Sequence, residues 1–410
     1  MPWANNAKVY LNNVLQTNVI EGVSISLGRE TIDQQSQAGY ARVALLNFDA
    51  ETVDLNDDIQ IKIDNYAGTP TTIFTGDVTD IQTTVLSSGT TVTTVTDLIC
   101  TSALAKLAIL NVNVDGYAEQ LEGDRMLSVL DEALAASWNE LPTTKVWTDY
   151  TTEIWTDLRG YDSSQIDTPG LFTLYTQTAG ITNAYEYAAL VATSGMGQLF
   201  ETPTGLVGYA DQDHRADYLT ANGFIDLSKN FILSDGISVT TSKDNITNDA
   251  IINYGSPAAS SETVDADSID LYGRNAQSIS TLLKNSADAN TYADRIVLLN
   301  AEPHPVISGI GVQINTPTMT STLLNALVGV FFGMPLSITN FPSNLYAHDF
   351  FGYVEGWTWT INRFSARLDL NVSDVTFSAV AVAWQDVYSA EAWNTLDPEL
   401  TWQNALLGVN

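Results

Sequence analysis

Cysteine is almost missing from this 410-residue sequence, where Cys100 stands alone. A single thiol excludes an intramolecular disulfide framework and any metal site built from several cysteines. It closes the alternating run TTVTTVTDLIC with no base or cation beside it. It therefore reads as a buried strand-end residue and not as a reactive thiol. Histidine is scarce too. His214, His304 and His348 are scattered, and none shows the paired spacing of a zinc-hydrolase helix. His214, in YADQDHRAD, reads as a solvated residue at a polar hairpin exit, and His304, beside Pro303 and Pro305, as structural. Basic residues are the third shortage: 16 Lys and Arg face 48 Asp and Glu, a formal charge of −32. Such a chain does not wrap nucleic acid by neutralising phosphates; it repels DNA and is expected to stay soluble at high concentration. Long apolar runs are lacking as well. The most apolar one, Leu323 to Ile338, is broken by Asn325 and Pro335 and falls short of the ~20 residues of a spanning helix. The opening MPWANNAKVYLNN has neither the basic nor the apolar stretch of a signal peptide, so no secretion signal is expected.

What is present is a β pattern. SISLGRETI, ARVALLNF, DIQIKIDN, TTIFTGDVTDIQ and TTVTTVTDLI alternate apolar and polar residues, the signature of half-buried strands. Turn signals at Asn65 to Gly68 and Ser87-Ser88-Gly89 separate them. Five or six short strands at this spacing predict a small barrel or sandwich. Helical spacing follows in Leu104, Leu107 and Ala108, then in Met126, Leu127, Leu130 and Leu134, with Asp124 as the expected cap. A Trp- and Tyr-rich segment from VWTDY to PGLF is weakly patterned. Ala184 to Ala192 predicts a helix, and FETPTGLVGYAD a hairpin about Thr204-Gly205. Strands return from Ile232, a helix is expected over Ala287 to Asn300, and a shorter one near Thr322 to Val328. One internal echo stands out. Phe74-Thr-Gly76-Asp-Val78 and Phe350-Phe-Gly352-Tyr-Val354 each follow a short strand and turn and precede a long alternating hairpin, which favours a duplicated β-domain.

The expected fold class is α+β and β-rich, with two related small β-barrel domains. The first covers 1–103, a middle α+β domain 104–230, and the second barrel 231–383 with a helical insert at about 262–301. A tail with three tryptophans fills 384–410.

Catalytic and metal motifs fail one by one. VDADSIDLYGR, from Val264 to Arg274, packs three carboxylates into six residues. Asp265 and Asp267 fit the first slots of a calcium loop, but Ile269 breaks the third and Ala276 replaces the closing Glu. The stretch reads as a polar junction in which Ser268 or Asp270 aids the turn to Gly273. No G-x-S-x-G elbow and no Walker loop occur. Paired carboxylates for glycoside hydrolysis carry no signal, because 48 acids make coincidental pairs easy. No catalytic, cofactor or metal residue is therefore assigned, and no cofactor is expected. Trp357 and Trp359 lie two apart, on one face of a strand, as core or interface residues; stacking on sugars is the alternative.

The order of segments resembles phage tail hub proteins: the baseplate hub of contractile tails and the corresponding minor tail protein of long-tailed actinobacteriophages. The pieces are SISLGRE to ARVALLNFD, NDDIQIKI, IFTGDVTDI, FETPTGLVGYADQDHR, SIDLYGR with the helix ADANTYADRIVLL, FFGYVEGWTWTI with ARLDLNV, and LTWQNALL. Residues 138 to 185 show no clear match. The resemblance implies a virion protein of the tail tip, assembled in the host cytoplasm. It implies a homotrimeric ring joining the tail tube to the host-binding apparatus and surrounding the DNA exit channel. The implied partners are other copies of the chain, a distal tail or tail tube protein, a tape measure protein, and tail spike or fibre proteins. DNA would pass without specific binding, and part of the acidity is expected to line that channel. The alternatives are a distal tail protein in a hexameric ring, a carbohydrate-binding adhesin, or an unrecognised hydrolase.

Overall fold

The structure is a computed structural model. It describes residues 7–375 except positions 19, 33, 89–90, 114, 141–165, 228–230, 304, 315, 317–318, 340 and 342–348. His304, His348, most of the Trp- and Tyr-rich segment and the tryptophans of the tail lie outside the described residues.

Alternation becomes strand wherever it is sustained. The N-terminal half forms β1 (Lys8–Leu11), β2 (Val14–Leu15), β3 (Ile20–Gly28), β4 (Gln37–Leu46), β5 (Asp58–Asp64), β6 (Pro70–Ser88) and β7 (Thr91–Thr101). In β4, Ala41, Val43 and Leu45 are buried while Tyr40 and Arg42 face outward, as a period of two requires. A middle unit follows with helices Ala103–Leu107, Glu122–Glu140, Ala184–Ser194 and His214–Asn222. Short strands β8 (Asn111–Val112), β9 (Gln120–Leu121), β10 (Thr173–Leu174), β11 (Thr182–Asn183), β12 (Gln198–Glu201), β13 (Val207–Ala210) and β14 (Ile225–Asp226) accompany them. The second helix begins at Glu122, two residues before the expected cap. Asp124 instead sits in its first turn, where a carboxylate complements the helix dipole.

The C-terminal half holds β15 (Ile232–Thr241), β16 (Asp249–Tyr254), β17 (Ala259–Val264), β18 (Ala276–Ser280), β19 (Pro305–Gln313), β20 (Pro335–Ile338), β21 (Phe350–Asn362) and β22 (Ala366–Asp374). Its helices are Ala266–Tyr272, Ser286–Asn300 and Ser321–Val328. The last starts on a Thr320 side chain that accepts from Leu323 N, an ordinary N-cap.

The expectation of two related small β-barrel domains requires correction. Strands of both halves join one 13-stranded sheet, ordered β15-β19-β22-β21-β3-β4-β7-β6-β5-β1-β2, with β20 on β21 and β14 on β20. No closed barrel occurs among the described residues. The link is β21, which pairs with β20 through Phe350–Tyr353 and with β3 through Gly356–Asn362. Alternation reports a buried face, and says nothing about which neighbour a strand will pair with.

Within that sheet a five-strand order occurs twice. The strands β3, β4, β5, β6, β7 lie as β3-β4-β7-β6-β5, and β15, β19, β20, β21, β22 lie as β15-β19-β22-β21-β20. Phe74-x-Gly76-x-Val78 and Phe350-x-Gly352-x-Val354 fall on the same fourth strand. A β-bulge follows each valine, between Val78 and Asp80 and between Val354 and Gly356. Even the local bonds repeat. Asn56 N donates to Val78 O at 2.7 Å, and Gly333 N to Val354 O at 2.8 Å. Both donors have positive φ, 67° and 81°, a conformation that Asn and Gly tolerate best.

The strand Asp249–Tyr254, outside the insert expected at about 262–301, does not join the large sheet. Strands β17-β16-β18 form a sheet of their own, so Asp249–Tyr254 lies at its centre and not in the large sheet. Its apolar residues Ala250, Ile252 and Leu283, with Ala289 and Ala293 of Ser286–Asn300, share one core with Leu130, Val191 and Tyr209 of the middle unit. The alternating DAIINY suits either sheet equally, which is why sequence could not place it.

Candidate assembly joint and strand edges

Three parts of the chain meet at Glu355. This residue is the extra one of the β21 bulge, and a bulge re-aims its side chain. Here the carboxylate points into the interior, 2% exposed, between two arginines. Arg29, just past the end of β3, donates from Nε at 2.7 Å. Arg215, at the start of the His214–Asn222 helix, donates from Nη1 and Nη2 at 2.7 and 2.8 Å. Ser373 Oγ adds a further bond. Burial opposes the charge on Glu355, but Arg215 and Arg29 outweigh it and hold the carboxyl at about 2. Phe332 takes both guanidinium groups on its ring, at 5.5 and 5.0 Å, a cation–π contact that suits weakly hydrated arginine. The joint thus ties the first repeat, the second repeat and the middle unit together.

A second tie runs through the loop after β3. Gln35 Oε1 accepts from Leu199 N at 2.8 Å and its Nε2 donates to Gly197 O at 3.1 Å, while Arg29 also reaches Gln198. Glu201 completes it, accepting from Gly39 N, Ser102 Oγ and Leu104 N. Burial nevertheless pushes that carboxyl up to about 6. A cleft of about 240 Å³ opens beside these ties, between Ile32, Thr193, Asp211 and the Ser286–Asn300 helix. Arg295 on its wall donates to Gln212 at 2.7 Å.

The residues singled out in the sequence have plain structural places. Cys100 is fully buried in β7, and burial followed by the charge of Asp77 raises its thiol to about 12. Trp357 and Trp359 are buried core residues opposite Leu27 and Ile25. In VDADSIDLYGR, Asp265 is the N-cap of Ala266–Tyr272, accepting from Ser268 N at 2.9 Å. Gly273 takes φ of 86°, and Arg274 binds Asp249 at 2.5 Å and Glu262 at 2.7 Å. The stretch joins β17 to β18 inside the insert. Its carboxylates do not converge. His214 is not a solvated exit residue: its Nδ1 lies 2.8 Å from Asp167 Oδ2, with its side chain 21% exposed. Burial lowers its pKa, yet Asp167 and Asp211 prevail and raise it. Among the described residues no group of three or more His, Cys, Asp or Glu is placed to hold a metal ion. No described helix is long and apolar enough to cross a membrane.

Sequence reasoning passed over Arg29, Glu355 and Glu201. Their only signal is a charge inside an apolar strand, as in YVEGW and LFETP.

Edges are the other exposed feature. Among the described residues, β6 beyond Val78 pairs only with β7, and β15 pairs only with β19. Val85, Leu86 and Val92 on the β6–β7 hairpin are 63, 51 and 64% exposed.

No family model and no curated protein matches the chain. Solved structures do. A tail protein from Neisseria meningitidis MC58 aligns with TM-score 0.59 and 11% identity, covering 92% of this chain and 98% of its own. The 43 kDa tail protein of prophage MuSo2 from Shewanella oneidensis aligns with TM-score 0.57 and 9% identity, over 90% and 97%. With nearly the whole of both proteins superposed, the chain has the fold of phage tail proteins.

Proposed function

We propose that this chain is the hub of a phage tail tip. Three copies form a ring that joins the tail tube to the host-binding apparatus and surrounds the path of exiting DNA. The observation that carries this reading is the repeated five-strand order with its matched glycine and bulge. A chain with two equivalent β-units lets three copies present six tube-like units to a hexameric tube and a true threefold to a spike or fibre below. The division follows: tube-like domains at 1–103 and 231–383, the latter with its insert, a middle domain at 104–230, and a tail at 384–410. The partners are the distal tail or tail tube protein, the tape measure protein, and spike or fibre proteins.

The role is mechanical and no catalysis is assigned. Two buried carboxylates of the described core are absorbed in joints: Glu355 by two arginines and Glu201 by three donors. A turnover assay on peptidoglycan or host polysaccharide should give no activity; activity abolished by one carboxylate substitution in a folded variant would overturn that part. The ring is tested by symmetry-resolved imaging of native particles, with three copies expected. Six copies would favour a distal tail protein instead.

A further inference from the structure

The wall of the cleft of about 240 Å³ carries more hydrogen-bonding capacity than the protein itself uses. Three parts of the chain border it: the loop after β3, the middle unit, and the insert through β18 and the Ser286–Asn300 helix. Four amide side chains on this wall are each tied down at one end. Gln198 Oε1 accepts from Arg29, Gln212 Oε1 from Arg295, and Gln277 Oε1 from Thr247, while Asn300 Nδ2 donates to Ile296 O. The opposite end of each bonds to nothing among the described residues, which leaves three fixed donors and one fixed acceptor. Asp211 works in the same way. Its Oδ1 accepts from Asp213 N and His214 N at 3.0 and 2.9 Å, and this anchors Oδ2 as a further acceptor.

Charge narrows the ligand. Arg215 also borders the cleft, but Glu355 already takes its charge. One carboxylate, Asp211, and one guanidinium, Arg295, remain on the wall. A phosphate or carboxylate would be repelled by the first, and an amine by the second. An uncharged ligand whose groups both donate and accept suits the two together, and hydroxyls are such groups. The rest of the wall is apolar, with Ile279, Ile296 and Leu299 beside the ring of Tyr292. Hydroxyls on the rim and C–H groups on the faces describe a sugar ring. The volume also favours one ring over an extended peptide, whose main chain advances about 3.3 Å with every residue.

We propose that this cleft binds one uncharged sugar residue, with Arg295, Gln212 and Gln277 donating to its hydroxyls, Asp211 and Asn300 accepting from them, and Ile279 and Leu299 lying against a ring face. The site is prepared for such a ligand. Burial, the largest influence on Arg295, lowers its pKa against the nearby charge of Asp213, so the guanidinium has little water left to give up. Amides already held at one end lose little further freedom on binding, which is how a preorganised site gains affinity. The bound ring would touch the loop after β3, the middle unit and the insert at once, and so clamp the insert to the body. The proposal is independent of how many copies form the ring.

The test uses the full-length chain with glucose, galactose, mannose, rhamnose, N-acetylglucosamine and N-acetylgalactosamine as probes. Saturation-transfer NMR should find at least one that binds with a dissociation constant of about 1 mM. Arg295→Met should weaken that sugar about 10- to 100-fold and Gln277→Leu about 2- to 10-fold, with circular dichroism unchanged. Should Arg295→Met unfold, Gln277→Leu, at a half-buried position of β18, decides alone. The charged analogues glucuronic acid and glucosamine should bind more weakly than the uncharged sugar. Methyl glycosides separate the sources: an anomer that binds as well as the sugar marks the end unit of a glycan chain, and loss of binding by both anomers marks a free sugar. No binding by any probe at about 50 mM, or binding that both variants leave unchanged, overturns the site. Tighter binding of a charged analogue overturns the ligand class.

Discussion

Glu355 shows how a single residue can decide the relation between distant segments. A buried carboxylate is costly unless its charge is matched, and here two arginines from different parts of the chain match it. Removing the carboxylate deprives two buried cations of their counter-charge, so Glu355→Ala should cost about 3–5 kcal/mol, read as a lower urea midpoint. The same geometry sets a pH limit. The folded carboxyl sits at about 2 against an ordinary 4.5, so its contribution is present above 4.5 and disappears as pH falls toward 2. Glu201 and Glu122 act in the opposite sense. Burial, their largest influence, raises them to about 6 and about 7, so the folded state holds their protons more tightly than the unfolded chain. Their contribution is complete below 4.5 and is lost as pH rises through 6 and 7. The denaturation midpoint should therefore fall between about pH 5 and about pH 8. A flat or rising midpoint across that range would contradict these assignments.

At the scale of elements, the matched glycines explain why the echo is a Phe-x-Gly-x-Val echo. A Cβ on Gly76 would collide with the Thr101 carbonyl and the Phe74 ring, and one on Gly352 with the Ser373 carbonyl and the Phe350 ring. The phenylalanine two residues back folds over its own glycine in each repeat. Overpacking of this kind costs about 1–3 kcal/mol, so Gly76→Ala and Gly352→Ala should both lower the denaturation midpoint. Gly180→Ala, which meets nothing within 4 Å, should leave it within about 0.5 kcal/mol of wild type. This echo, and helices such as Ser286–Asn300 and Ser321–Val328, were legible because local spacing and packing dictate them. Partnership was not legible. The sequence of β21 does not say that half of it pairs with β20 and half with β3. YVEGW looks the same whether its Glu is solvated or clasped by Arg29, 326 residues away. The candidate joint was therefore invisible in advance, and only the strand that carries it was expected.

For the whole molecule, charge opposes association, since each copy brings a formal −32. Repulsion between copies is least screened at low ionic strength, so the proposed ring should dissociate more readily at about 20 mM than at about 200 mM salt, as sedimentation velocity can measure. Salt-insensitive assembly would mean that the acidic residues face away from the contacts. The β3–β21 junction also governs how the molecule is made. Its partners include Ser26 and Thr358, 332 residues apart, so the first repeat emerges during synthesis long before the strand that covers it exists. Pairings so distant in sequence form slowly, and an uncovered strand is open to wrong partners meanwhile. Until β21 arrives, the chain has a free first-strand edge at β3 and a free fourth-strand edge at β6, which are complementary to each other. Two nascent chains could therefore join prematurely through their first repeats. A fragment ending before β15 should accordingly self-associate head to tail, whereas completion of the C-terminal half caps β3 within the same molecule.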